Sequence, residues 1–291
     1  MSMIETLELT RSYDGRVVLD GVTLAVRRGE IFALLGANGA GKTTTIGILS
    51  TLVRPSGGVA RVAGFDVVDD RREVTRRIAL TGQSAAVDDV LTGHENLVML
   101  GRLRGLNSVD ARGRAAELLD RFDLVEAGSR RVASYSGGMR RRLDLALSFV
   151  TNPEVLFLDE PTTGLDARSR RELWATIRSL TAVGVTVLLT TQYLEEADHL
   201  ADRIAVLHGG RVRAAGTPVD LKARAGGISV ELRDPGGRLL ADVPTDGTID
   251  GIRSALARIE ADGLEGDVSL RRPTLDDVFL HLTAPQPEES A

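Results

Sequence analysis

A glycine-rich segment containing one lysine is the part of this sequence with the clearest chemical meaning. Gly36-Ala-Asn-Gly39-Ala-Gly41-Lys42-Thr43 follows an apolar run and fits the pattern Gly-x-x-x-x-Gly-Lys-[Ser/Thr]. Glycines let the backbone turn tightly, so successive N–H groups point inward at a phosphate next to a helix N-terminus. The chain has only two lysines, and one of them stands here. The segment therefore predicts a nucleotide-phosphate site.

Each position of this loop has an expected role. Lys42 is expected to reach the β- and γ-phosphates, and the Thr43 hydroxyl is expected to ligate Mg²⁺. The other loop residues supply backbone N–H groups to the phosphates. The predicted phosphate-binding residues are Gly36, Ala37, Asn38, Gly39, Ala40, Gly41, Lys42, Thr43 and Thr44.

A second segment, Leu156-Phe-Leu-Asp159-Glu160-Pro161, is an apolar run that ends in two acids. An enzyme with a phosphate loop needs an acid at the end of a neighbouring strand to hold Mg²⁺, and Asp159 suits that role. The adjacent Glu160 is then placed to orient and deprotonate an attacking water. The two segments together predict nucleotide hydrolysis.

Alternating strand and helix patterns are expected to place these residues at one edge of a mostly parallel sheet. Helical spacing dominates from Thr92 to Phe149, starting with the capping box Thr92-x-x-Glu95, and predicts a helical insertion at about 84–150. The predicted strands of this part are Ile4–Leu9, Val17–Val26 with a turn at Asp20-Gly21, Ile31–Leu35, Val59–Val62, Val155–Leu158, Val185–Thr190 and Ile204–Leu207. Helices are predicted at 42–52 and 167–180, and a small α/β appendix at about 223–283.

Composition excludes several classes of protein. The 291 residues are 43% hydrophobic, a normal globular share. Lys and Arg total 36 against 41 Asp and Glu, so the formal charge of −5 gives no expectation of a nucleic-acid partner. No cysteine occurs, which excludes a disulfide scaffold and a thiolate metal site. No uncharged stretch reaches the roughly 20 apolar residues that a membrane-spanning helix needs.

Ser136-Gly137-Gly138 opens a predicted helix 23 residues before Asp159. A serine before two glycines is also an ordinary helix cap. In this place, however, it resembles the signature motif of ATP-binding-cassette (ABC) ATPases, and the resemblance covers about residues 1–220. It implies an α/β P-loop ABC ATPase cassette at 1–222, with a RecA-like core, an antiparallel β subdomain and the helical insertion. The appendix at 223–283, expected to be an accessory or regulatory domain, and a disordered tail at 284–291 would follow.

The resemblance implies further site residues, with ATP and Mg²⁺ as cofactors. Tyr13 would stack on adenine, and Gln83 would join the core to the insertion near Mg²⁺ and the attacking water. Asp166 would lie in a loop that faces a second copy of the chain. In that family two copies pair head to tail, so the Ser136-Gly137-Gly138 helix of one copy contacts the ATP on the phosphate loop of the other.

Two departures from the common family pattern suggest a subtype. Tyr135 and Met139 flank Ser-Gly-Gly where leucine and glutamine are usual, and Gln192 stands where a histidine usually contacts the γ-phosphate. Both departures, and the stretch Arg272–Leu280, resemble the daunorubicin/doxorubicin-resistance type of ABC exporter ATPase. Glutamine can position the γ-phosphate but does not titrate near neutral pH. We therefore expect slow but genuine hydrolysis, with Glu160 as base and Gln192 as a neutral donor.

The resemblance implies the ATP-hydrolysing subunit of a bacterial exporter with drug-type cargo. It would act at the cytoplasmic face of the membrane with a separate polytopic permease subunit. Two alternatives stay open: a nucleotide-gated subunit with weak hydrolysis, and a soluble ABC ATPase that acts on ribosomes or DNA.

Overall fold

The computed structural model describes residues 2–82 and 87–283 of the 291-residue chain. Two of the predicted features, Gln83 and the tail at 284–291, lie outside the described residues. The chain divides into two compact units between Ala215 and Gly216.

Strands and helices alternate along the first unit, as the sequence predicts. The strands are β1 (Ser2–Tyr13), β2 (Arg16–Arg27), β3 (Ile31–Leu35), β4 (Gly57–Val62), β5 (Phe65–Asp66), β6 (Ile78–Thr81), β7 (Val155–Asp159), β8 (Thr186–Thr191), β9 (Arg203–His208) and β10 (Arg211–Gly216). The helices are α1 (Lys42–Leu49), α2 (Arg71–Arg77), α3 (Gly93–Leu103), α4 (Ser108–Arg121), α5 (Gly137–Ser148), α6 (Ala167–Ala182) and α7 (Leu194–Leu200).

A six-stranded sheet in the order β10-β9-β3-β8-β7-β6 is the centre of this unit. The adjacent pairs β9–β3, β3–β8, β8–β7 and β7–β6 are parallel. Strands β3, β7 and β8 are buried along their whole length, which explains their continuous apolar sequences. Because β3, β8 and β7 are adjacent and parallel, the segments that follow them meet at one sheet edge.

A four-stranded sheet in the order β2-β1-β4-β5 pairs antiparallel and contributes to the same core. Leu9 and Val22 of this sheet belong to one buried cluster with Phe32 of β3 and Ile46 of α1. The predicted turn at Asp20-Gly21 is wrong, because β2 runs through it. Gly21 has a φ of 71°, and the pairing of β1 with β2 shifts register there, so the Asp-Gly pair makes a bulge.

The helical insertion is confirmed as helices α3, α4 and α5, with one 3-10 turn at Val132–Ser134. The capping box of Thr92 and Glu95 is present in both directions at the start of α3. Strand β6, which leads to the insertion, was not predicted; it has four residues and only two of them are buried.

The second unit contains α8 (Pro218–Arg224), β11 (Ile228–Arg233), β12 (Leu239–Thr245), α9 (Ile249–Ala261), β13 (Asp267–Arg271) and α10 (Leu275–Thr283). The three strands form an antiparallel sheet in the order β12-β11-β13. Val230 and Leu232 of β11 pack against Ala255 and Ile259 of α9 in a small core. The α/β content predicted for this segment is confirmed.

Candidate functional site

The glycine-rich loop connects β3 to α1, and two of its glycines are required by close approaches. A Cβ at Gly36 would lie 2.5 Å from the carbonyl oxygen of Leu207. Gly41 has a φ of 107°, and a Cβ there would lie 2.5 Å from Leu19 Cδ2. The Gly36 N–H donates to the carbonyl of Thr191 at 3.2 Å, which ties the loop to the end of β8. The loop therefore has one fixed backbone path.

Lys42 is buried within the curve of this loop, with 4% of its surface exposed. Its Nζ donates to the carbonyl oxygens of Gly36 at 2.8 Å and Ala37 at 3.2 Å, and lies 3.4 Å from Glu160 Oε1. A cleft of about 270 Å³ opens here. Its lining residues are Val18, Asn38, Gly39, Gly41, Lys42, Thr43, Thr44 and Glu160. The structure thus brings the two predicted segments together around one ammonium group.

Asp159 lies at the end of β7, buried beside the start of α1. Its Oδ1 accepts hydrogen bonds from Thr43 Oγ1 at 3.2 Å and from Thr190 Oγ1 at 2.5 Å. Hydroxyl and carboxylate oxygens are ligands that Mg²⁺ prefers, usually with only one or two carboxylates. Within the part of the chain that the structure describes, no group of three or more His, Cys, Asp or Glu residues could hold a metal ion. The pair Thr43 and Asp159 fits an Mg²⁺ that would complete its shell with phosphate and water oxygens.

Glu160 has a backbone conformation that is uncommon for a residue with a side chain. Its φ is 49°, and its N–H donates to Thr190 through both the carbonyl oxygen at 3.1 Å and Oγ1 at 3.2 Å. The Thr163 hydroxyl donates to Glu160 Oε2 at 3.4 Å. Left-handed backbone in non-glycine residues persists where the surroundings fix it, and such residues cluster at functional sites. Thr190, which the motifs did not single out, therefore holds both acids.

Gln192 follows β8 directly and is half-buried, one residue after the Thr191 that contacts the loop. The register of β3 with β8 and of β8 with β7 places this segment between the loop and the two acids. The structure therefore brings Gln192 to the same sheet edge as Lys42 and Glu160.

Glu196 is a buried acid in α7, although the acids beside it, Glu195 and Asp198, are exposed. Its side chain is fully buried, and Trp174 Nε1 on α6 donates to its Oε1 at 3.2 Å. Burial raises the pKa of the Glu196 carboxyl, whereas Glu195 is exposed. The signal that sequence reasoning missed is that Glu196 lies four residues before the buried Leu200, on the same helix face.

The Ser136-Gly137-Gly138 segment begins α5 with a side-chain cap. Ser136 Oγ accepts from the Met139 N–H at 3.2 Å, and both Ser136 and Gly137 are exposed. Gly138 is buried, and a Cβ there would lie 2.7 Å from Ser169 Oγ of α6. The first N–H groups of a 12-residue helix and its dipole favour an anion at this end. None of the three residues lines the phosphate-loop cleft of the described chain.

Arg141, one turn into α5, is a second residue that the motifs did not single out. It is 7% exposed, and its guanidinium contacts Pro161, Gly82 and Asp144. Desolvation lowers the pKa of Arg141, and the nearby carboxylates of Asp144 and Asp159 oppose that shift. The run Arg140-Arg141-Arg142 gives no sequence signal that the middle arginine is buried.

Tyr13 and Asp166 lie at exposed positions. Tyr13 ends β1 with 40% of its surface exposed, and the Arg11 guanidinium carbon lies 4.2 Å from its ring centroid. Asp166 caps α6 and accepts from the N–H groups of Arg168 at 2.9 Å and Ser169 at 2.8 Å. These bonds lower the pKa of the Asp166 carboxyl. Neither residue lines the phosphate-loop cleft within the described ranges.

Comparison with known proteins agrees with these motifs. The profile of the ABC transporter family matches residues 19–163. The daunorubicin resistance ATP-binding protein DrrA3 of Streptomyces coeruleorubidus is 53% identical, over 94% of this chain and 93% of the relative. The doxorubicin resistance ATP-binding protein DrrA of Mycobacterium tuberculosis (strain ATCC 25618 / H37Rv) is 51% identical, over 94% and 90%. A solved post-hydrolysis dimer of the ATP-binding cassette MJ0796, bound to ADP and Pi, superposes with a TM-score of 0.65 at 25% identity, over 74% of this chain and 98% of that chain.

Proposed function

Because this chain belongs to the ATP-binding subunits of ABC transporters, which hydrolyse ATP, we propose that it powers the export of a drug-type compound. The proposed cargo class rests on the resistance proteins that are similar to this chain over more than nine-tenths of its length. No helix in the described residues is long and apolar enough to cross a membrane. By resemblance to exporter ATPases, the chain would act through a separate polytopic permease subunit, at the cytoplasmic face of the membrane.

Hydrolysis would use the groups gathered at the carboxyl ends of β3, β7 and β8. Lys42 and the loop N–H groups bind the phosphates, and Glu160 orients and deprotonates the attacking water. Gln192 donates its amide N–H to the γ-phosphate, and Gln83 assists near the water. Thr43 and Asp159 would hold Mg²⁺, with Gln83 as a further ligand; the ion would neutralise charge on the phosphate oxygens. The observation that carries this proposal is the 3.4 Å approach of Lys42 Nζ to Glu160 Oε1.

The second half of each ATP site would come from another copy of the chain. Ser136, Gly137 and Gly138 would contact the γ-phosphate of the ATP on the partner copy's loop, and Asp166 would face the same interface. Tyr13 would stack on adenine. The exposed start of α5 supports this arrangement, as does the dimeric cassette that the chain resembles. ATP closes such a dimer because only the closed form contacts ATP from both sides.

Glu160→Gln tests the proposal. This variant should bind ATP with nearly wild-type affinity but lose about 10²- to 10⁴-fold in turnover, because the base is removed and the phosphate contacts remain. The ATP-bound dimer should then accumulate, which light scattering measures as a doubled mass in the presence of Mg-ATP. Glu126→Gln, the same change at an exposed acid outside the cleft, is the matched control and should still turn over. A Glu160→Gln chain that hydrolyses ATP at the wild-type rate would contradict the proposal.

The runner-up is a nucleotide-gated subunit with weak hydrolysis, favoured by a glutamine at position 192. Steady-state phosphate release with the permease subunit present separates the two. Turnover that rises with cargo supports the exporter, whereas ATP binding that changes dimerisation with negligible turnover supports the gated subunit.

A further inference from the structure

The helix that begins at Ser136 contains an arginine that joins it to two other segments of the nucleotide site. Arg141 Nε donates to the Pro161 carbonyl at 2.9 Å, and Nη1 donates to the Gly82 carbonyl at 2.7 Å. Pro161 directly follows Glu160, and Gly82 directly precedes Gln83. One side chain of α5 therefore fixes the backbone beside two residues that are proposed to act on the attacking water.

Burial of the Arg141 guanidinium costs desolvation free energy, which argues that its contacts have a role beyond stabilising the fold. Its charge is paired with Asp144, whose Oδ2 lies 3.1 Å from Nη1, and both side chains are almost fully buried. Nη2 is buried without an acceptor among the described residues. A buried ion pair contributes little net stability, because desolvation offsets the attraction, so it is weak evidence for a purely stabilising role. The planar guanidinium holds its donors in a fixed geometry, which suits a rigid connection.

The neighbouring arginine provides the contrast. Arg140 is partly exposed, and its Nη1 lies 2.7 Å from Asp89 Oδ1. Its Nη2 donates to the Val132 carbonyl at 3.4 Å. Arg140 thus contacts neither Pro161 nor Gly82 through any bond of the described structure. The connection from α5 to the catalytic segments is specific to position 141.

We propose that Arg141 is a positioning residue that couples the two ATP sites of the dimer. The inference rests on the head-to-tail dimer of the proposed function. In that dimer the start of α5 contacts the ATP of one site, whereas Glu160 of the same chain acts on the ATP of the other. A movement of α5 as one site closes is transmitted through Arg141 to Pro161 and Gly82. Such coupling is reciprocal, so each ATP favours closure of the other site.

Arg141→Lys tests the coupling while retaining a charge opposite Asp144. Lysine has one nitrogen, so it cannot reproduce the two separate donors that face the two carbonyls. ATP affinity of the single chain, measured with a fluorescent ATP analogue, should stay within about twofold, since Arg141 is outside the cleft. In the dimer, one coupled site typically changes binding at the other about 5- to 150-fold, so turnover at sub-saturating ATP should fall by up to that factor. The Hill coefficient of turnover for ATP should fall from above 1 towards 1.

Arg140→Lys is the matched control and should keep wild-type turnover and cooperativity. If Arg141→Lys does not fold, the pair Arg141→Met with Asp144→Asn removes both charges and leaves neither unpaired. Wild-type turnover and Hill coefficient in a folded variant of either kind would overturn the coupling, and so would a Hill coefficient of 1 in the wild type. The Glu160→Gln chain keeps the two proposals distinguishable. If the Glu160→Gln chain forms no ATP-dependent dimer, the proposed head-to-tail dimer is wrong. If it forms one, Arg141 variants with wild-type turnover and Hill coefficient contradict only the proposed coupling.

Discussion

The two regions proposed to contact ATP differ sharply in burial. On the phosphate-loop side, Lys42 and Asp159 are 4% and 5% exposed, and their polar atoms are paired with groups of the same chain. On the α5 side, Ser136 and Gly137 are exposed at the start of the helix. A buried charge must be paired within the fold, whereas an exposed helix start is free to meet a ligand from another molecule.

This difference indicates which parts of the site depend on one chain and which depend on two. The buried region is assembled by the parallel register of β3, β8 and β7, so it forms when the first unit folds. In the proposed dimer, the exposed region would act only when a second copy approaches. Substitutions in the two regions should therefore differ in which step they disturb: nucleotide binding by one chain, or dimer closure.

Among the substitutions that change nucleotide binding by a single chain, Lys42→Ala in the buried region is expected to have the largest effect. It removes the ammonium from the loop and leaves Glu160 without its ion-pair partner. A hydrogen bond from a charged group is worth about 1.5–3 kcal/mol, so ATP should bind about 10- to 100-fold more weakly. Equilibrium binding of a fluorescent ATP analogue to the single chain measures this. Wild-type affinity would show that the buried region does not bind the phosphates.

Gly137→Asp tests the exposed region and, unlike Lys42→Ala, should impair dimer closure and not nucleotide binding by the single chain. The added carboxylate lies at an exposed helix start where the partner's γ-phosphate is expected, so repulsion should prevent closure. ATP affinity of the single chain should be unchanged, whereas turnover should fall at least about tenfold. Combined with Glu160→Gln, this variant should stay a monomer by light scattering in Mg-ATP. A dimer as stable as that of Glu160→Gln alone would remove α5 from the interface.

A smaller effect is expected from Gln192→Ala. If Gln192 only positions the γ-phosphate, loss of its amide should remove one hydrogen bond from the transition state. A hydrogen bond of ordinary net free energy corresponds to a fall in turnover of roughly 2- to 12-fold, with ATP affinity nearly unchanged. Gln192→His should remain active, because histidine can also donate. Phosphate release by the two variants, beside an inactive Glu160→Gln, provides the measurement. Wild-type turnover in Gln192→Ala would show that this position does not assist hydrolysis.

The smallest effect concerns Glu196, and it is seen as a dependence on pH. Because burial raises the pKa of this carboxyl above 4.5, the folded chain binds its proton more tightly than the unfolded chain. Its contribution to stability is therefore present below pH 4.5 and is lost as pH rises through the folded pKa. Glu196→Gln stays neutral, so wild-type stability should fall relative to this variant over that pH range. Denaturant unfolding at several pH values tests the sign.

The fluorescence of Trp174, the only tryptophan, provides a second measurement of the protonation of Glu196, because the Trp174 indole N–H donates to the Glu196 carboxyl. The His199 ring is stacked on the same indole, with the ring centroids 4.7 Å apart, so His199→Gln is the necessary control. Arg170 and Arg141 are the charged groups that interact with Glu196 from α6 and α5. A fluorescence titration that Glu196→Gln leaves unchanged would contradict the assignment.

Features that depend on residues close together in the chain were predictable from the sequence, whereas features that depend on distant contacts were not. The phosphate loop, the strand that ends in Asp159 and the capped helices were predictable, because each depends on neighbouring residues. The buried positions of Arg141 and Glu196 were not, because their partners are Gly82, Pro161 and Trp174, all distant in the chain. The bulge at Asp20-Gly21 was taken for a turn, since Asp-Gly has the same local signature in both. Strand β6 has only four residues, too few for the alternation of buried and exposed side chains to indicate a strand.

The central claim is that each ATP site combines the phosphate loop of one chain with the α5 start of another. The chain has no cysteine, so single cysteines can be placed at the exposed positions Asn38 and Ser136 without background. Chains carrying Glu160→Gln with Asn38→Cys and chains carrying Glu160→Gln with Ser136→Cys should be mixed and treated with a flexible bismaleimide. A covalent dimer should form in the mixture, require Mg-ATP and join position 38 of one chain to position 136 of the other. Equal cross-linking within either unmixed chain, or none in the mixture, would contradict it.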